Sequence, residues 1–70
     1  MQRIDYYQNG DNRVTLCDRG EDCQTLPRYC TGGFIAGRVV GDSYLELSGA
    51  QSGFRSLRRK ADTLPAYNAE

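Results

Sequence analysis

The sequence contains no histidine and no tryptophan, and only two prolines, one methionine and three cysteines in 70 residues. The missing histidine removes the usual general base and the usual partner that activates a cysteine thiolate. Cys17, Cys23 and Cys30 are separated by five and six residues, so they lack the closely spaced pair of a structural zinc site. An odd cysteine count is awkward for a disulfide framework. Packed or free thiols are the plainer reading, with one loop disulfide between Cys23 and Cys30 as the alternative. The chain also has no Gly-rich phosphate loop and no serine elbow. These absences argue against an enzyme, and they call for neither metal nor cofactor.

Charge of one sign is missing too. Nine basic and nine acidic residues cancel, so no bulk field draws the chain to nucleic acid or membrane. No apolar run approaches the roughly 20 residues of a membrane span. Met1-Gln2-Arg3-Ile4-Asp5 has no apolar stretch after its charge and does not read as a signal peptide, so the cytoplasm is the expected compartment.

What is present is a pattern of strands followed by a helix. Arg3 to Tyr7 and Arg13 to Cys17 alternate around the turn signal Asn9-Gly10-Asp11-Asn12, predicting a β-hairpin over residues 3–17. Ile4, Tyr6, Val14 and Leu16 are its expected inward residues. Residues 18–33 lack periodicity and read as a long loop. Phe34 to Val40 reads as a third strand, Gly41-Asp42 as a two-residue turn, and Tyr44 to Leu47 as a short fourth strand with Leu45 and Leu47 inward. From residue 49 to 64 the chain predicts an amphipathic helix. Ser48 and Gln51 supply a capping box, Ala50, Phe54, Leu57, Ala61 and Leu64 an apolar stripe, and Pro65 a stop. Residues 65–70 form a tail. The expected architecture is a single α+β domain over residues 1–70: an antiparallel β-meander of three or four strands packed against one C-terminal helix.

The helix segment Ala50-Gln51-Ser52-Gly53-Phe54-Arg55-Ser56-Leu57-Arg58-Arg59-Lys60-Ala61 resembles the helix of the YegP-like family of small uncharacterised bacterial proteins. Gly37-Arg38-Val39-Val40 is similar to that family's preceding strand, and Tyr6 to Leu16 to its opening hairpin. The family's tryptophan-rich second strand has no counterpart here. The resemblance implies three strands and a helix, often doubled by dimerisation or tandem repeat, and it implies no biochemical role.

Four groups of residues are candidates for binding. Arg55, Arg58, Arg59 and Lys60 make a basic run that suits phosphate contact; a solvated helix face is its plainer account, with Arg58 paired to Asp62. Asp18, Glu21 and Asp22 cluster in the long loop and suit a basic groove on a partner, or simply solubility. Tyr6, Tyr7, Tyr29, Tyr44 and Tyr67 suit base stacking, sheet packing or an interface, with Tyr7 and Tyr44 foremost at an interface. Gly53, costly within a helix, suggests close approach of another backbone. So small a chain barely builds a core, which favours a homodimer through a sheet face or strand edge. The profile fits a non-enzymatic protein-interaction module, an intracellular inhibitor or adaptor of the kind phages and mobile elements encode. A nucleic-acid-binding module using helix residues 55–60 is the alternative.

Overall fold

Alternation along Asn12-Arg13-Val14-Thr15-Leu16 decides which side of the sheet is inside. Asn12, Val14 and Leu16 are buried while Arg13 is exposed and Thr15 half-buried between them, the period of two that a strand imposes. A computed structural model describes residues 2–21 and 27–63 and shows this strand near the middle of a four-stranded sheet. The strands are β1 (Gln2–Asn9), β2 (Asn12–Asp18), β3 (Tyr29–Ile35) and β4 (Arg38–Tyr44), followed by helix α1 (Leu47–Thr63). All neighbours pair antiparallel in the order β1-β2-β3-β4, a simple meander. The α+β architecture is as the sequence predicts. Leu64, Tyr67 and the tail, along with Asp22 and Cys23, lie outside the described residues.

The helix crosses one face of the sheet and packs chiefly on β2 and β3. Its stripe is the expected one: Ala50, Phe54 and Ala61 are buried and Leu57 is half-buried, against Val14, Leu16 and Ile35. Burying Phe54 contributes roughly 1.5–3 kcal/mol, the largest apolar term the helix offers. The helix starts earlier than its capping signal, because the Glu46 carbonyl accepts the Ala50 N–H at 3.1 Å. Ser48 therefore sits inside the first turn, where the predicted box with Gln51 has no role.

At its other end the helix is held by side chains. The last four carbonyls of a helix have no intrahelical donor, and four residues beyond Ala61 stands Pro65, which has no N–H to give. The Ala61 carbonyl instead accepts the side-chain amides of Asn12 at 3.2 Å and Asn9 at 3.3 Å. Asn12 is 1% exposed, and its Oδ1 accepts the Ala36 N–H at 3.0 Å. One buried amide thus joins the first hairpin, the second hairpin turn and the helix end.

The second hairpin differs from the sequence expectation. Its turn is Ala36-Gly37, closed by Ile35 opposite Arg38, and Gly41-Asp42 lies within β4. Both turn residues have positive φ, 52° at Ala36 and 80° at Gly37, as a type I′ turn requires. Alanine is an unusual occupant of that first position, so the turn carries no Asn-Gly or Gly-Gly signature. β3 accordingly begins at Tyr29 and runs through Gly32-Gly33. Gly33 belongs in the strand because a side chain there would collide with the Arg13 carbonyl of β2. The chain from Leu45 to Leu47 is not a strand: Leu45 is 81% exposed and Leu47 opens the helix.

β1 also departs from plain alternation. Its register shifts between Arg3 and Asp5, leaving Ile4 as the extra residue of a β-bulge. Beyond the bulge Tyr7 faces Val14, so Tyr7 lies on the helix side and Tyr6 turns to the opposite face. Ile4 remains beside Leu16 and Phe54 at the sheet edge but stays exposed.

Gly53 makes room for a side chain, not for another backbone. A Cβ at this position would run into the hydroxyl of Tyr44, whose ring also lies 3.4 Å from a Cβ built on Gly49. Gly49 and Gly53 form a shallow seat for the Tyr44 ring. Glycine-to-alanine changes inside helices ordinarily gain roughly 0.5–1 kcal/mol, whereas overpacking costs about 1–3 kcal/mol. Gly53→Ala is therefore expected to lower the melting temperature in the native chain and to raise it in a Tyr44→Val background. Thermal unfolding of the four proteins, followed by circular dichroism, checks this reversal of sign.

Candidate functional site: the open face of the sheet

The helix seals one side of the sheet, and the register defines what the other side carries. Three rows of cross-strand neighbours run over it: Arg3, Cys17, Cys30 and Ser43; Tyr6, Thr15, Gly32 and Gly41; Gln8, Arg13, Phe34 and Val39. Contacts confirm the common face. The Arg3 guanidinium lies 4.8 Å from the Tyr6 ring centroid, and that of Arg13 lies 5.7 Å from Phe34. Arg19, just past β2, reaches the Ser43 hydroxyl at 3.4 Å and the Pro27 carbonyl at 2.6 Å. The Tyr6 hydroxyl donates to Gln8 Oε1 at 2.8 Å. Val39 is 85% exposed at the end of the face.

Two properties distinguish this surface. Arg3, Arg13 and Arg19 lie on it, and no aspartate or glutamate among the described residues does. Asp5, Asp18 and Asp42 pair with Leu16, Tyr29 and Thr31 on the helix side, and Asp11, Glu21, Glu46 and Asp62 belong to turns or the helix. The chain as a whole is neutral, so this face is locally basic, although Arg38 of β4 pairs with Ile35 on the helix side. Second, the β3–β4 half of the middle row is flat, because Gly32 and Gly41 carry no side chain beside Phe34, while Thr15 and Arg13 of β2 stand between the two aromatic rings. Exposed cation–π pairs are worth about 0.5–1 kcal/mol each, so the arginines rest on the rings without being locked there.

Cys17 and Cys30 stand directly opposite one another on this face as free thiols. Partial burial, and then the neighbouring Cys30, push the Cys17 thiol above its ordinary value. That shift makes Cys17 a weaker nucleophile at neutral pH. Cys30 faces Cys17 here, while its other suggested partner, Cys23, is outside the described residues.

The residues singled out from sequence are dispersed. Arg55, Arg58 and Arg59 line one shallow depression of about 350 Å³ with Asp62. Lys60 is separate and lies beside Ile35, Ala36, Arg38 and Val40. Residues 55–60 therefore do not form one basic face. Arg58 is applied to the Tyr7 ring at 4.5 Å. Asp62 accepts the Tyr7 hydroxyl, and this bond, together with burial, raises the Tyr7 hydroxyl above its usual range. Tyr7 and Tyr44 are both half-buried on the helix side, where each supports the helix. Of the acidic group, Glu21 is exposed in a turn and Asp22 lies outside the described residues. Asp18 closes the base of its loop, accepting Arg28 Nε at 2.9 Å and Nη2 at 3.0 Å, and the Gly20 N–H at 2.8 Å.

Among the described residues there is no group of three or more potential metal ligands, and no helix is long and apolar enough to cross a membrane. A cleft of about 330 Å³ between β1 and the helix, lined by Ile4, Asp5, Leu16, Phe54, Arg55 and Arg58, is shallow and open. Comparison with known families, with curated proteins and with solved structures finds no match to this chain.

The Arg28 guanidinium, followed by the Gly20 N–H, holds the Asp18 carboxyl below its ordinary 3.8. A depressed folded-state value means that the fold favours the ionised form. Its contribution is fully present above pH 3.8 and fades as the pH falls through the lower folded value. Asp18→Asn is expected to be less stable than the native chain at neutral pH, and the difference should close towards about pH 2. Urea midpoints measured at both ends of that range check the sign.

Proposed function

We propose that this protein is a non-enzymatic binding module whose working surface is the open face of the sheet. The observation that carries this reading is the division of labour between the two faces. The helix, Tyr7, Tyr44 and Asn12 are engaged in holding the fold. Arg3, Tyr6, Arg13, Phe34 and Val39 fill no core and gather on one side. Antiparallel sheets tolerate one wet face, but that face then ordinarily carries mixed polar residues. Here it carries cations and rings without counter-charges. Binding by surface complementarity asks for no deep pocket, and a chain with no histidine is poorly equipped for proton transfer.

An inhibitor or adaptor acts in this way, by covering a site on another macromolecule. A second reading, a homodimer joined through the same face, is favoured by Val39, which is 85% exposed beside the half-buried Phe34. The basic helix residues support binding less well, since Arg58 is stacked on Tyr7 and Lys60 points elsewhere.

Two double variants separate the faces. Arg13→Glu with Thr15→Glu cancels the positive charge of the open face. Arg55→Glu with Arg59→Glu changes the helix by the same number of residues. With tagged protein in extract of the cells that express it, the macromolecule retained by the native chain is expected to be lost with the open-face pair and kept with the helix pair. Loss with the helix pair alone would move the working surface to α1 and overturn this reading.

A further inference from the structure

We propose that the open face binds single-stranded nucleic acid, with bases stacked on Tyr6 and Phe34 and phosphates held by Arg3, Arg13 and Arg19. The inference rests on the reading of the open face as the working surface. It adds the chemistry of the occupant.

The argument is one of complementarity. An anionic partner is indicated by arginines on three sides of a face that has no carboxylate among the described residues. A partner with flat apolar surfaces is indicated by the rings. Tyr6 and Phe34 are two strands and two residues apart, so their centres are separated by about 12 Å from strand spacing and rise. Stacked pairs need centroids within about 7 Å, so the two rings cannot clamp one base between them. Each takes its own base, with Arg13 of β2 standing between the two rings where the connecting backbone would pass, and the flat Gly32–Gly41 strip beside Phe34 leaves room for the strand to continue. Each ring already carries a guanidinium on its face, which shows that a planar, delocalised group fits there. When a base takes that place, Arg3 and Arg13 are freed at the ring edge, within reach of the adjoining phosphate. A duplex offers its bases only edge-on within grooves, whereas a single strand offers their faces. An acidic protein segment would satisfy the arginines and leave the rings without partners of their own shape.

The charge count sets the salt dependence. Single strands release counterions with a slope of about −0.7 per phosphate neutralised, so three arginines give about −2. Affinity is then expected to fall about 20-fold between roughly 50 and 200 mM salt.

The test is fluorescence anisotropy of the full chain with labelled oligo-dT of about 12 nucleotides, against its duplex and against polyglutamate. The native chain is expected to prefer the single strand and to show the stated salt slope. Tyr6→Leu and Phe34→Leu should each weaken binding by about fivefold or more without changing the slope. Arg13→Gln should reduce the slope by about a third. Circular dichroism melts confirm that each variant is folded, and Arg59→Gln, on the helix and away from the open face, serves as the folded control. Absence of binding, equal affinity for duplex, or equal competition by polyglutamate would overturn the proposal. So would a concentration-dependent dimer that Val39→Arg dissociates, because a second copy would then own the face. If the oligonucleotide fails while the open-face pair still abolishes capture from extract, the occupant is wrong and the working surface stands. If neither responds to open-face changes, the surface itself is wrong.

Discussion

The fold depends on one buried amide. Asn12 donates to the carbonyl of Ala61 near the end of the helix and accepts from the N–H of Ala36 in the second hairpin turn. Each of those groups lacks an ordinary partner. Ala61 is four residues before a proline, and Ala36 is held at a φ of 52° in a tight turn. Buried polar groups without partners cost about 1–3 kcal/mol each, so one side chain resolves two liabilities. It also ties the end of the helix to both hairpins, alongside the apolar stripe and the Tyr44 ring seated on Gly49 and Gly53. The one buried side-chain polar atom without a partner among the described residues, the Thr31 hydroxyl, lies on this same helix side.

Fixing the helix on one face has a consequence for the other. Every large side chain that anchors the helix, from Phe54 to Tyr44, is drawn from the helix side of the sheet. The opposite side is left with residues whose placement the core does not require. The separation of Arg3, Arg13 and Arg19 from the carboxylates is therefore not a requirement of packing. The bulge at Ile4 is what brings Arg3 to that side, next to Tyr6, whose own place opposite Thr15 follows from the two-residue turn at Gly10-Asp11. Without it, Arg3 would face Asp18 on the helix side.

Much of the architecture was legible in the sequence, for identifiable reasons. The first hairpin has a glycine-containing turn between alternating segments, and the helix has a full apolar stripe from Ala50 to Ala61; both signals are local. The second hairpin was misplaced by five residues' worth of chain because its turn uses alanine at a positive-φ position, which leaves no local trace. The glycines that looked like turn residues, Gly33 and Gly41, instead relieve close contacts between paired strands. That constraint arises only once the strands are side by side. The inward side of β1 was reversed at Tyr6 because the two-residue turn pairs odd-numbered residues of β1 past the bulge with even-numbered residues of β2, so that Tyr7 and not Tyr6 stands beside Val14, a parity that belongs to two strands in register. The candidate surface was missed for the same reason. Arg3, Arg13 and Arg19 are scattered in sequence and become neighbours only through the pairing of four strands, whereas the basic run from Arg55 to Lys60 is conspicuous in sequence and is divided by the helix.

The central claim is that Asn12 fixes the helix and so decides which face is free. Its most direct test is urea unfolding of Asn12→Leu, which keeps the branched shape of the side chain and removes its hydrogen bonds to Ala61 and Ala36. The account predicts a loss of about 1–3 kcal/mol, the cost of leaving the Ala36 N–H without a partner and the Ala61 carbonyl with Asn9 alone. A variant as stable as the native chain, or more stable, would show that the apolar stripe alone seats the helix and would contradict the account.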